Sequence, residues 1–319
     1  MKYAVVGTNF ISDSFAQAIS NTKSEIVAVY SRKEETGKVF QNAWKIKTLH
    51  TDFAEMLENK EVEGVYIATP NSLHFSQGKQ VLESGKHLLL EKPATITTQE
   101  FEILEGIAKK NNLAFLEAMR PHFLPTYEKM KKEMANIGKI RRCMLSFCQY
   151  SSRYDNFKKG IIENAFVKEF GNGAMIDLGV YAIAVMLMLF GTPKSYKATA
   201  EIIPDHIDIQ GTLLCQYDGF EVVLSYGKVA YCYQLNEISG ENASILFQST
   251  SKPKSFVVKR GESEEEFICE TEDNNMIFEI NMMDEVANNP EKAQQYRDLT
   301  KTAIEIMQNA RTQIGYSFE

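Results

Sequence analysis

Cysteine, histidine and positive charge are each too scattered in this chain to build the sites they usually build. The five cysteines, Cys143, Cys148, Cys215, Cys232 and Cys269, form no C-x-x-C pair, and none stands beside a histidine at metal-ligand spacing. The five histidines are equally dispersed. No metal site is therefore expected, and the thiols are expected to be reduced and mostly buried, as in a cytoplasmic protein. Lys and Arg number 35 against 42 Asp and Glu, a net charge of −7. Phosphate attraction requires clustered positive charge, so neither a nucleic-acid nor an anionic-membrane surface is expected. A strand-like run begins one residue after Met1, so no signal peptide is expected. No apolar stretch reads as long enough to span a bilayer.

What the chain does have is length enough, at 319 residues and 44% hydrophobic, for about two domains with a sizeable core. The run from His87 to Pro93, H-L-L-L-E-K-P, predicts a buried strand that delivers Lys92 to the carboxyl edge of a sheet, where ligands of open α/β sheets bind. Pro93 fixes its own φ, restricts Lys92 and ends the strand, with a cis bond one way to do so.

Around that strand the first 118 residues alternate. K-Y-A-V-V-G at 2–7 predicts a strand and a tight turn, and 10–20 a helix whose N-terminus can hold a pyrophosphate. The turn G-T-N-F-I-S keeps Gly7 of a dinucleotide fingerprint but has Asn9 and Ser12 in its other two glycine places. Asn is the non-glycine residue that best tolerates positive φ. A second strand, 25–30, ends in Ser31 and Arg32. A carboxylate there would bind the ribose of NAD, whereas a guanidinium and a hydroxyl suit the extra phosphate of NADP. Asp52 with Glu55, and Thr97 with Glu100, have capping spacing, and Thr69-Pro70-Asn71 opens a helix that Gly85 ends. Strands separated by helices predict a doubly wound parallel sheet over residues 1–118.

The second domain, 119–319, reads differently. A helix from Pro121 leads to a strand at 139–150. Then Gly171 to Phe190 has helical periodicity, interrupted by Asp177 and Tyr181, four apart and so on one helix face. Alternating strands follow near 195–201, 208–217, 220–227, 230–239, 243–248, 254–259 and 265–270, and two helices, near 276–288 and 292–312, close the chain. This predicts an α+β domain with one large open antiparallel or mixed sheet and helices on one face. The uncovered face predicts a homodimer or homotetramer.

A-T-P-N-S-L-H at 68–74, E-K-P at 91–93 and G-x-G-x-x-x-D-x-G-x-Y at 171–181 together make the chain resemble the glucose-fructose oxidoreductase and inositol dehydrogenase (Gfo/Idh/MocA) family over essentially its whole length. Tyr181, where many members carry His, is similar to the branch with dimeric dihydrodiol dehydrogenase and NADP-dependent xylose dehydrogenases. E-A-M-R-P-H-F-L-P at 117–125 departs from that branch at Arg120 and His122, so the substrate or nicotinamide environment is expected to differ there.

The resemblance implies a Rossmann first domain and hydride transfer between NADP, with NAD the other cofactor allowed, and a sugar, polyol, trans-dihydrodiol or related carbonyl compound. It places the cofactor on Gly7, Thr8, Asn9, Phe10, Ile11, Ser31, Arg32, Thr69, Pro70, Asn71, His74, Glu91 and Lys92. Tyr181 is then the general acid/base, Lys92 the ammonium that stabilises its phenolate and polarises the carbonyl, and Asp177 the group that holds a second hydroxyl or orients Lys92. Two other readings on the same fold are an NAD-dependent glycosidase, which Tyr181 counts against, and a non-catalytic nucleotide-binding regulator, which has no need of Lys92, Asp177 and Tyr181 together.

Overall fold

Most of the apolar runs of the first 118 residues become strands with little or no exposed surface. β1 (Lys2–Val6), β2 (Glu25–Tyr30), β3 (Thr48–His50), β4 (Gly64–Ile67), β5 (His87–Glu91) and β6 (Phe115–Ala118) form one parallel sheet in the order β3-β2-β1-β4-β5-β6. Val5, Ile67, Leu89 and Leu116 are fully buried, as expected of strands covered on both faces. The computed structural model describes residues 1–269, 272–316 and 318. They form two compact units, Met1–Arg120 with Glu272–Lys301, and Pro121–Thr271 with Thr302–Glu319.

The helices of the first unit start where their caps dictate. These are α1 (Phe10–Ile19), α2 (Glu34–Trp44), α3 (Phe53–Glu58), α4 (Asn71–Glu83) and α5 (Thr98–Lys110). Asp52 accepts the Glu55 amide at 3.0 Å. Thr97 and Glu100 complete both halves of a capping box, at 3.2 and 3.1 Å. The three-residue β3 and helix α2 are too short or too polar to show in the apolar pattern. The strand order reverses at β1, whose neighbours are β2 and β4, and this switch point opens a crevice at the strands' carboxyl ends.

Helix α9 (Met276–Asn288), grouped with the second domain by sequence, packs in the first unit against α1 and β6. Its Asp284 accepts hydrogen bonds from the Tyr3 hydroxyl at 3.3 Å and the Ser24 hydroxyl at 2.5 Å. One-sided hydrophobicity shows that a helix needs a surface to cover. Which surface is decided by such polar anchors, remote in sequence.

In the second unit, α6 (Pro125–Met134) leads to β7 (Ile140–Cys148), and α7 (Ser152–Lys158) to the long apolar helix α8 (Val180–Phe190). Then come β8 (Ser195–Ile202), β9 (Asp208–Tyr217), β10 (Phe220–Gly227), β11 (Asn236–Gly240), β12 (Ser244–Phe247), β13 (Ser255–Arg260) and β14 (Ser263–Ile268). The sheet order is β14-β13-β12-β11-β7-β10-β9-β8, with β7 and β10 parallel and the other neighbours antiparallel. Cys143, Leu145, Leu213, Val222, Leu224 and Ile238 bury one face of this sheet, against which α8 packs. The last helix, α10 (Gln294–Gln313), divides between the units at Lys301.

Three expectations are corrected here. Residues 230–235 are not strand: Tyr231 and Tyr233 alternate, but as exposed rings, and Tyr231 stacks on Tyr150 with centroids 4.9 Å apart. Alternation without a ladder partner makes no strand. The helical run Lys168–Phe190, at mean hydropathy 2.1, is long and apolar enough to cross a membrane, but 78% of its most apolar window is buried inside the fold. It is a core helix that passes a length test. Asp177, finally, lies in a π-helical turn, Met175–Gly179, ahead of α8, so it and Tyr181 are not stacked by α-helical spacing. The turn begins where the buried Asp208 accepts the Met175 amide at 2.8 Å, and single π turns are frequent at functional sites. All five cysteines are free and three are buried.

Glu117 of β6 is buried and braces the first unit. Its two oxygens accept the Ala94 amide at 2.9 Å and the Thr300 hydroxyl at 3.0 Å. Burial pushes its carboxyl up to about 7, against the opposing pull of those two donors. A raised carboxyl favours the folded state below the unfolded value and loses that advantage as pH rises through the folded one. Glu117→Gln removes the titration. Between pH 5 and pH 8 the wild-type protein should lose up to about 3 kcal/mol relative to Glu117→Gln, measured by urea unfolding at both values. Parallel pH dependence of the two proteins would refute the assignment.

Candidate functional site

At the switch point of the parallel sheet the backbone leaves no room for a side chain. Gly7 has φ +104°, and a Cβ there would lie 2.8 Å from the Ala68 carbonyl oxygen at the end of β4. Asn9 does not need the left-handed conformation expected of it; its φ is −96°. Its carboxamide instead accepts the Ile11 and Ser12 amides, capping α1, and donates to Ala68 at 2.6 Å. The fingerprint's middle glycine is thus replaced by a side chain that ties β1 to β4.

Gly7, Thr8, Asn9, Ser31, Arg32, Thr69 and Pro70 line one cleft along these strand ends. The sequence reading missed Lys33, Thr36 and Gln77 in the same lining. Lys33 looked like one more surface charge, and Thr36 and Gln77 sit on helices whose inward faces only the fold selects. The β2 end carries two cations, Arg32 and Lys33. The Ser31 hydroxyl donates to the Lys33 carbonyl oxygen and lies 2.9 Å from the Thr36 hydroxyl. Glu34, next along, is neutralised by Lys38 at 2.8 Å, which holds its carboxyl below the ordinary value. Cations and hydroxyls with a position free of carboxylate at the strand end suit a phosphate monoester.

Phe10, Ile11, Asn71 and His74 do not line the cleft. Phe10 is exposed, Ile11 is held by Asn9, and Asn71 begins α4. His74 is buried with its ring nitrogens 2.8 and 2.9 Å from the carbonyl oxygens of Pro93 and Thr69, and burial pushes its pKa down. It braces the loop after β4 against the loop after β5.

That second loop carries Lys92, joined to Pro93 by a cis bond. Glu91 is buried; it accepts the Tyr66 hydroxyl at 2.7 Å and the Lys92 amide at 3.3 Å. Glu279 of α9 is also buried, with neither oxygen hydrogen-bonded among the described residues. Burial first, then Glu91, pushes its carboxyl up to about 8, with Arg120 opposing. The charge of Arg120 therefore faces this buried carboxyl group. His122, in the second unit, is a buried imidazole pushed down to about 3 by burial and then by Lys131.

Asp177 and Tyr181 belong to the second unit. Tyr181 is buried edge-on to Phe147, with ring centroids 5.4 Å apart. Asp177 is half exposed, and its Oδ2 lies 3.3 Å from Nζ of Lys228, a buried lysine just beyond β10. Sequence reading did not single out Lys228, because a lysine after a strand-ending glycine looks like a turn residue.

Known proteins share both the sequence pattern and the fold. Residues 1–118 match the family described as "Oxidoreductase family, NAD-binding Rossmann fold", and residues 127–246 the GFO/IDH/MocA C-terminal domain. The chain is 35% identical to scyllo-inositol 2-dehydrogenase (NADP(+)) IolU of Bacillus subtilis, over 99% of this chain and 97% of that one. It is 25% identical to trans-1,2-dihydrobenzene-1,2-diol dehydrogenase of Xenopus tropicalis, over 81% and 78%. Its fold matches KijD10, a 3-ketoreductase from Actinomadura kijaniata solved with NADP and TDP-benzene, at a TM-score of 0.89 and 20% identity over 98% of both chains. The chain belongs to the GFO/IDH/MocA family of oxidoreductases, with a Rossmann first domain and that family's C-terminal domain.

Proposed function

We propose that this protein is an NADP-dependent oxidoreductase that moves a hydride between the nicotinamide and a CH–OH carbon of a sugar, polyol, trans-dihydrodiol or related carbonyl compound. The observation that carries the reading is the β2 end of the cleft, where Ser31, Arg32, Lys33 and Thr36 meet. Such a set favours a phosphorylated ribose over a free one. The named relatives include an NADP-dependent inositol dehydrogenase and a dihydrodiol dehydrogenase, each named for a compound with neighbouring hydroxyls.

Gly7, Thr8 and Asn9 would admit the pyrophosphate at the N-terminus of α1, with Thr69 and Pro70 closing the opposite wall. When bound, the nicotinamide supplies or takes the hydride. Tyr181 exchanges the proton of the reacting oxygen, Lys92 contributes positive charge that favours the alkoxide and phenolate forms, and Asp177 accepts from a further hydroxyl. The second unit's sheet leaves Leu214, Val223 and Met144, and beyond Glu237 also Leu246 and Val257, at least partly exposed across one face. This stripe supports a homodimer or homotetramer joined there.

Arg32→Ala should weaken NADPH binding about tenfold or more and leave NADH within about twofold, in a fluorescence titration. Equal loss for both cofactors would refute the phosphate role of Arg32. Tyr181→Phe should bind NADPH normally and lose about 10²-fold or more in kcat. Full turnover in that variant would remove Tyr181 from the chemistry. Sedimentation equilibrium should give two or four times the 36.2 kDa chain mass, and a monomer would count against the sheet interface.

A further inference from the structure

Lys228 is a deeply buried lysine beside Asp177. Its amide donates to Ile209 at 2.9 Å and its carbonyl oxygen accepts from Ser151 at 2.8 Å, which pins the residue just past the ends of β7 and β10. Its side chain is 4% exposed, against 46% for Asp177, 3.3 Å away. Its Nζ also lies 5.6 Å from the centroid of the Phe166 ring. The asymmetry is informative. A surface ion pair exposes both partners and contributes little; here the cation is withdrawn from water and the anion faces outward. A buried pair is weak evidence of stability, because apolar residues of similar volume usually serve as well. What the arrangement does achieve is a half-exposed carboxylate with a buried ammonium fixed beside it.

The groups around the pair fit that account. Asp208 of β9, fully buried, accepts the Met175 amide at the start of the π turn that carries Asp177. Burial raises its carboxyl to about 6, opposed by the Met175 amide, Lys228 and Arg311. Tyr226 of β10 and Tyr316 are pushed up by burial and then by Asp208. Lys228 is thus the ammonium shared by the two carboxylates that bracket the turn, with Arg311 of α10 a second cation toward Asp208.

We propose that Lys228 is a positioning residue: it holds Asp177 as an oriented carboxylate that accepts a hydrogen bond from a second hydroxyl of the substrate, and so selects polyols over simple carbonyl compounds. This rests on the hydride-transfer reading above. Lys228 touches neither cofactor nor the reacting carbon; it acts through Asp177.

Lys228→Met removes the charge at similar volume; Asp177, being half exposed, stays solvated, and the buried Asp208 keeps the Met175 amide and the Arg311 charge, so the fold should survive. In the holoenzyme, KM for a cyclic polyol should rise about tenfold or more, with a smaller change in kcat and unchanged NADPH affinity. The acid limb of kcat/KM should move to higher pH, because losing the Lys228 ammonium beside it makes a carboxylate take up a proton more readily. Lys228→Arg should restore most of the loss. In an Asp177→Asn background, Lys228→Met should change KM less than about twofold, the non-additivity of a residue acting through another. A carboxyl titration of Asp177 by NMR, in wild type and Lys228→Met, reads the linkage without turnover. Unchanged KM and unchanged Asp177 titration in Lys228→Met would overturn the proposal, as would fully additive losses in the double variant. A wild-type protein that turns over no polyol or carbonyl compound overturns the hydride-transfer reading instead, and the Asp177 titration then decides the linkage alone.

Discussion

Removing an ionisable group from water disfavours its charged form by several kcal/mol unless hydrogen bonds or an opposite charge compensate. Each unit of this protein is built around groups held on those terms. In the first, Glu91, Glu117 and Glu279 are buried around the strand ends that lead to Lys92. Glu117 has two donors and Glu91 two more, while Glu279 has no hydrogen-bond donor among the described residues and is driven toward its neutral form. In the second, Asp208 and Lys228 play the same part around the turn that carries Asp177. Of the groups proposed for the chemistry, Lys92 and Asp177 are partly exposed and Tyr181 is buried, while the carboxyls that hold their loops are buried throughout.

The division has a chemical rationale. A residue that must exchange a proton or meet a substrate needs access to the cleft, so it cannot also be locked by close packing on every side. The locking falls to neighbours whose own titration is displaced by burial. The loop carrying Lys92 is clamped by His74 at Pro93 and by Glu117 at Ala94. The turn carrying Asp177 is clamped by Asp208 at Met175. Preorganisation of this kind keeps a charged side chain aimed without reorganisation at the moment of reaction.

Much of this was legible in the residues. The β-branched runs, the capping pair at Asp52 and the capping box at Thr97 are local, and local patterns read directly. Ser31 and Arg32 were legible because the end of the second strand is a defined place in a doubly wound sheet. Lys33, Thr36 and Gln77 were not, since a charge or hydroxyl on a helix has no local signature of the face it will present. Asn9 was read as a tolerated substitute for glycine, yet it is a cap and a cross-link, because its partner, Ala68, lies 59 residues away. The strand expected at 230–235 failed for a related reason: alternation is a property of the chain, and a ladder partner is a property of the fold.

Sequence alone therefore determined the doubly wound first sheet, the family, and the residue types available for the chemistry, because these depend on periodicity and on motifs within short windows. Tertiary structure alone decided which buried charges answer one another. It attached α9 to the first sheet through Asp284, converted the start of the apolar helix into a π turn through Asp208, and set Lys228 behind Asp177. The physical reason is range. Hydrophobic periodicity is written every two to four residues, whereas the partner that makes a buried charge tolerable lies on another strand or helix and leaves no mark beside it in the sequence.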